Sequence, residues 1–66
     1  MTIKLNGDSH EIPQPMTVAA LLERLDIDAR RVAVELNLNV IKKAAYQSAV
    51  VGDGDEVEIV NFVGGG

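Results

Sequence analysis

The sequence predicts an α+β fold in which a mixed sheet of four to five strands packs on one main helix. Three observations carry that expectation: an Asn-Gly dipeptide centred in the alternating run "TIKLNGDSHEI", a helix-period run "MTVAALLERL", and two later alternating runs, "VAVELN" and "EVEIVNF". One helix offers a single apolar stripe, and a sheet is the only large surface able to receive it.

Asn6-Gly7 between alternating residues is a strong short-range signal for a two-residue type I′ hairpin. Such a turn pairs Leu5 with Asp8, Ile3 with His10 and Met1 with Ile12. Met1, Ile3, Leu5 and Ile12 then share one face, with Thr2 and Lys4 on the other. Pro13 and Pro15 stop the sheet. Thr17 is placed to cap the helix, and Met16 and Leu21 stand at the spacing of a hydrophobic staple. Val18, Leu21, Leu22 and Leu25 repeat at i, i+3, i+4, i+7, which leaves Glu23 and Arg24 towards water. "DIDAR" leads out of the helix. Val32, Val34 and Leu36 form a third half-buried strand, followed by a turn over 37–39, a short strand near Val40-Ile41 and a single helical turn. "GDGD" (52–55) is a turn and "EVEIVNF" the last strand. The order β-β-α-β-β-β in so short a chain is that of the β-grasp, the fold of ubiquitin.

Size and composition restrict function. A chain of about 60 residues buries only about 60% of its unfolded surface, and with no cysteine among its 66 residues there is no disulfide to staple it. The same absence rules out thiolate catalysis and Cys-type metal sites and fits a cytoplasmic location. A net charge of −4, one Phe, one Tyr and no Trp argue against nucleic acid, which needs a basic face or stacking rings. "MTIKLNGDSH" lacks the apolar core of a signal peptide. No apolar stretch approaches the ~20 residues of a membrane span.

Candidate site residues are few. His10, the one histidine, has no partner in the sequence to make it a general base and reads as a strand residue. Asp53, Asp55, Glu56 and Glu58 lack calcium-loop spacing and read as a tight turn followed by a solvated strand face. No phosphate loop or dinucleotide fingerprint occurs, so no bound cofactor is expected. If Val57 and Ile59 face the helix, Val60 and Phe62 fall on the open face of the sheet, either as ordinary scatter or as the edge of a partner surface. Residues 1–62 are expected to form the domain, with 63–66 as a flexible glycine tail. Gly64, Gly65 and Gly66 make a thread spanning at most roughly 10 Å, slim enough for a channel that admits no side chain. The Gly66 carboxylate is an anion at neutral pH and a poor acyl electrophile until something activates it.

"DGDEVEIVNFVGGG", with the "LNG" hairpin, "TVAALLERL" and "VAVELN", closely resembles the ThiS family, ubiquitin-like sulfur carriers of thiamine biosynthesis, over essentially the whole chain. The resemblance implies that a ubiquitin-activator-like enzyme uses ATP to adenylate Gly66. Sulfur from a cysteine desulfurase, delivered as a persulfide, then replaces AMP to give a thiocarboxylate, and thiazole synthase takes that sulfur. The protein would be a consumed and regenerated cosubstrate, not an enzyme. One departure stands out: family members commonly have glycine where "LNLNVIKK" has Leu38, so Asn37 or Asn39 is expected to take up the left-handed backbone, with Leu38 exposed. Alternatives are the small subunit of molybdopterin synthase, which is similar but tends to carry prolines before its glycines, and a non-covalent ubiquitin-like interaction module.

Overall fold

The computed structural model describes residues 1–62; the expected tail, 63–66, lies outside the described residues. Asn6 and Gly7 both take positive φ, 50° and 87°, the pair of left-handed residues that a type I′ turn needs. That turn joins β1 (Thr2–Leu5) to β2 (Asp8–Glu11) in the expected register, with Ile3 opposite His10 and Leu5 opposite Asp8. Just past the strands, Met1 and Ile12 complete the pairing: the Met1 ammonium donates to the Ile12 carbonyl, and the Ile12 N–H to the Met1 carbonyl, both at 2.8 Å.

Helix α1 (Val18–Arg24) starts where its cap lies, the Thr17 hydroxyl accepting from the Ala20 N–H at 3.1 Å. It ends in a Schellman arrangement: the Asp26 N–H reaches the Glu23 carbonyl, the Ile27 N–H reaches the Leu22 carbonyl, and Asp26 supplies the left-handed residue at φ 60°. Val18, Leu21 and Leu22 are buried, as the spacing predicts. Complete burial of one such leucine contributes roughly 1.5–3 kcal/mol.

Two short strands were not anticipated. Met16–Thr17, here β3, pairs antiparallel with Val50–Val51, here β6. The remaining strands follow expectation: β4 (Val32–Leu36), β5 (Asn39–Ile41) and β7 (Glu56–Asn61), with a 3-10 turn at Lys43–Ala45 for the single helical turn. The main sheet has five strands in the order β2-β1-β7-β4-β5, with β1 and β7 parallel and the other pairs antiparallel. The last strand in sequence is therefore central in space. The result is a β-grasp, a mixed five-stranded sheet carrying one helix.

The core lies between α1 and one face of the sheet and includes Ile3, Ile12, Leu21, Leu22, Val32, Val34, Val51 and Val57. Tyr46 joins it from the 3-10 turn, 4% exposed, with its hydroxyl donating to the Val32 carbonyl at 3.3 Å. Burial raises the Tyr46 phenol pKa. The turn between β4 and β5 corrects one expectation in part. Asn37 does take the left-handed conformation, at φ 51°, but Asn39 belongs to β5, and Leu38 itself fills the second left-handed position at φ 70°. Its side chain, 79% exposed, has little packing to offset that strain.

Candidate functional site

Strand β7 leads directly to the last described residue, Phe62, and two asparagines hold its first half. Asn6 acts from the β1 side. Its Oδ1 accepts from the Ile59 N–H at 2.7 Å and its Nδ2 donates to the Ile59 carbonyl at 3.1 Å. The carboxamide thus stands in for the next peptide of β1, after the hairpin has turned that strand away. Asn37 acts from the β4 side, its Oδ1 accepting from the Glu56 N–H at 2.9 Å while its own N–H reaches the Glu56 carbonyl at 2.8 Å. Both residues occupy the first position of a turn with two left-handed residues, and both follow a leucine. From the sequence alone both are turn formers. The repeated Leu-Asn at 5–6 and 36–37 was the available signal.

Beyond Ile59 the environment changes. Val60 sits opposite Ala33 on β4, and the Phe62 N–H donates to the Arg31 carbonyl at 2.9 Å. Alternation puts both side chains on the face away from α1, where Val60 is 59% and Phe62 52% exposed, as expected. Val40 on β5, opposite Glu35 on β4, and Leu38 in the adjoining turn are also exposed. Farther back on the same face lie Glu56 and Glu58, so one strand runs from acidic to apolar along its exposed side.

The Arg31 carbonyl is fixed by a local device. Asp28 caps the 3-10 turn Ala29–Arg31, accepting from the Arg30 N–H at 2.9 Å and pairing with the Arg30 guanidinium at 2.9 Å. Those hydrogen bonds hold its carboxyl at a pKa of about 2. Lys43 adds a second tie. Its Nζ donates to the carbonyls of Ala29 at 2.7 Å and Val32 at 3.2 Å, and lies 5.0 Å from the centre of the Phe62 ring.

The other candidates serve the architecture. Asp53 Oδ1 accepts from the Thr2 N–H, and Asp55 accepts from the Gly52 N–H and the Asn37 side chain. The acidic turn therefore braces the ends of β1 and β4, while Glu56 and Glu58 lie exposed. His10 sits half-buried on β2. Among the described residues no group of three or more His, Asp or Glu side chains is disposed to hold a metal ion, and no helix is long and apolar enough to cross a membrane. Gly64, Gly65 and Gly66 lie outside the described residues, so the candidate site consists here of the strand end that precedes them.

Comparison with known proteins bears on the chain as a whole. The ThiS family model matches residues 3–66. A sulfur carrier protein ThiS of Bacillus subtilis is 40% identical over 50 residues, 76% of this chain and 76% of that one. A thiazole synthase of Paramagnetospirillum magneticum is 47% identical over all 66 residues, and this chain spans 20% of its length. The crystal structure of a thiamine biosynthesis protein (ThiS) from Geobacter metallireducens superposes with a TM-score of 0.89 at 36% identity, covering 100% of both chains. Match, identity and superposition agree, and the chain belongs to the ThiS family.

Proposed function

We propose that this protein is the sulfur carrier of thiamine biosynthesis, with the carried sulfur on the carboxylate of Gly66. The observation that supports the reading best is that β7, gripped on both sides through Ile59, runs on to an exposed Val60–Phe62 end that only Val63 separates in sequence from the three glycines, within a family match that includes them. A carboxylate is a resonance-stabilised anion and must first become an acyl donor. One Gly66 oxygen attacks the α-phosphorus of ATP in a ubiquitin-activator-like enzyme, and pyrophosphate leaves. The outer sulfur of a persulfide, supplied through a cysteine desulfurase, then attacks the carbonyl carbon to form an acyl disulfide. AMP departs with the oxygen that attacked, and a second thiol then attacks the S–S bond, leaving as a disulfide with the persulfide's inner sulfur and releasing the thiocarboxylate.

The chain's own contribution is presentation. Glycines offer no side chain to obstruct a narrow active-site channel, while Val60 and Phe62 provide apolar area for docking beside it. ATP belongs to the activating enzyme, and the carrier is a cosubstrate rather than an enzyme. Thiazole synthase is the proposed acceptor. Its candidacy is supported by the Paramagnetospirillum thiazole synthase, which contains a stretch 47% identical to this whole chain.

Intact-mass measurement after incubation with ATP, the activating enzyme, a persulfide donor and a thiol reductant tests the reading. Replacement of one oxygen by sulfur, localised to the C-terminal peptide, is expected; an unchanged mass beside a verified active enzyme overturns it. A non-covalent interaction module is the second reading, favoured by the same exposed Val60–Phe62 end. Extending the chain by one residue after Gly66 separates the two: a carrier loses sulfur loading completely, whereas a module binds as before. "VNFVGGG" contains none of the prolines expected of the molybdopterin-type relative, which supports the thiamine assignment.

A further inference from the structure

Lys43 touches the core only at its edge, its ammonium 5.9 Å from the centre of the Tyr46 ring, and the Asn6 and Asn37 grips and the chemistry of the tail do not involve it. A lysine head on a flexible four-carbon stem is ordinarily solvated and free to move. This one is held by the carbonyls of Ala29 and Val32, at 2.7 and 3.2 Å. The carbonyl of Arg31, between them in sequence, accepts the Phe62 N–H. Phe62 is thus tied to one short segment twice, directly through its backbone and through its ring by way of the Lys43 ammonium, 5.0 Å from the ring centre. That separation lies within the range over which a cation is attracted to an aromatic face. A half-exposed aromatic ring at the end of a strand has several side-chain rotamers open to it, and a fixed cation over its face selects among them.

We propose that Lys43 is a positioning residue for docking: its ammonium, anchored on the Ala29 and Val32 carbonyls, fixes the Phe62 ring and with it the point from which residues 63–66 are offered to the activating enzyme. The proposal rests on the carrier reading and deepens it. Attraction between a cation and a ring strengthens when water is removed, so the contact gains most once a partner covers the exposed strand end. Losing it should therefore affect recognition more than folding.

The test compares wild type, K43M, K43R, F62L and the double variant K43M/F62L in two measurements. In carbon-edited NMR spectra of the free protein, the Lys43 ε-methylene is expected to show a ring-current shift that falls in F62L to the part left by the Tyr46 ring, 5.9 Å from the ammonium. In ATP-dependent pyrophosphate release by the activating enzyme, K43M is expected to raise the KM for the carrier about three- to tenfold, with kcat moving less. K43R, which keeps a cation able to stack on the ring, should stay near wild type. In the F62L background, K43M should add nothing further. An unchanged KM in K43M, additive effects of K43M and F62L, or an ε-methylene shift that is the same in F62L as in wild type would each overturn the proposal. Should K43M fail to fold, K43Q, which also removes the cation, takes its place with the same expected and overturning results. Wild-type protein that supports no pyrophosphate release sinks the carrier reading instead. The NMR comparison then decides the Lys43–Phe62 contact by itself.

Discussion

The two halves of β7 differ in how they are held. Residues 56–59 have a partner on each side: the ladder with β4 is reinforced by Asn37 at Glu56, and the short parallel ladder with β1 is prolonged by Asn6 at Ile59. On the core side this half buries Val57 and packs Ile59 against the cluster. Residues 60–62 continue beside β4 after β1 has turned away at Asn6-Gly7, and they hold Val60 and Phe62 out from the sheet. One strand therefore anchors with its first half and presents with its second. Central placement of the last strand makes this division possible, since the C-terminal residues then start from the most firmly held part of the sheet.

The strongest way to sharpen the contrast lies beyond the strand. Gly65→Val should abolish sulfur loading, because a β-branched side chain blocks a channel shaped for glycine. Its melting temperature should match wild type, since glycine contributes no side chain to the core. A large drop in melting temperature would show that presentation and anchoring are not separate. Next comes the anchoring half. Asn6→Ala removes both bonds to Ile59 and a residue tolerant of its left-handed conformation, so urea unfolding should show a loss of about 2 kcal/mol. Loading should then persist under conditions where the variant remains folded. The smallest change acts at the opposite turn: Leu38→Gly relieves a left-handed leucine with little packing to lose, and should raise stability by about 1 kcal/mol without altering loading. No gain would mean that exposed Leu38 is held by contacts its exposure does not suggest.

Features with a short-range signature were legible in the sequence. Asn6-Gly7 specified the hairpin and its register, Thr17 the helix start, the i, i+3, i+4 spacing the buried face of α1, and strict alternation the two faces of β4 and β7. Val60 and Phe62 could be placed on the open face by the same alternation. What escaped depends on residues far apart in the chain. The pairing of Met16–Thr17 with Val50–Val51 involves two residues per strand, too few for any periodicity. Tyr46 is buried because a 3-10 turn folds back under β4, which its neighbours "KKAAYQ" do not foretell. Asn6 reaches across 53 positions to Ile59, and Asn37 across 19 to Glu56. Asparagine at a turn already has a local explanation, so nothing in the letters called for a second one. The Lys43–Phe62 contact was hidden for a similar reason, being visible only once the 3-10 turns bracket the start of β4.

The division of β7 is tested most directly by Phe62→Ala, assayed in parallel for equilibrium unfolding and for affinity towards the activating enzyme. Truncating a half-exposed ring on the presenting half should cost about 1 kcal/mol or less of stability while weakening binding by tenfold or more, as expected of an aromatic anchor at an interface. A variant that binds with wild-type affinity, or that unfolds as a core truncation would, contradicts the account and returns the end of the strand to the core.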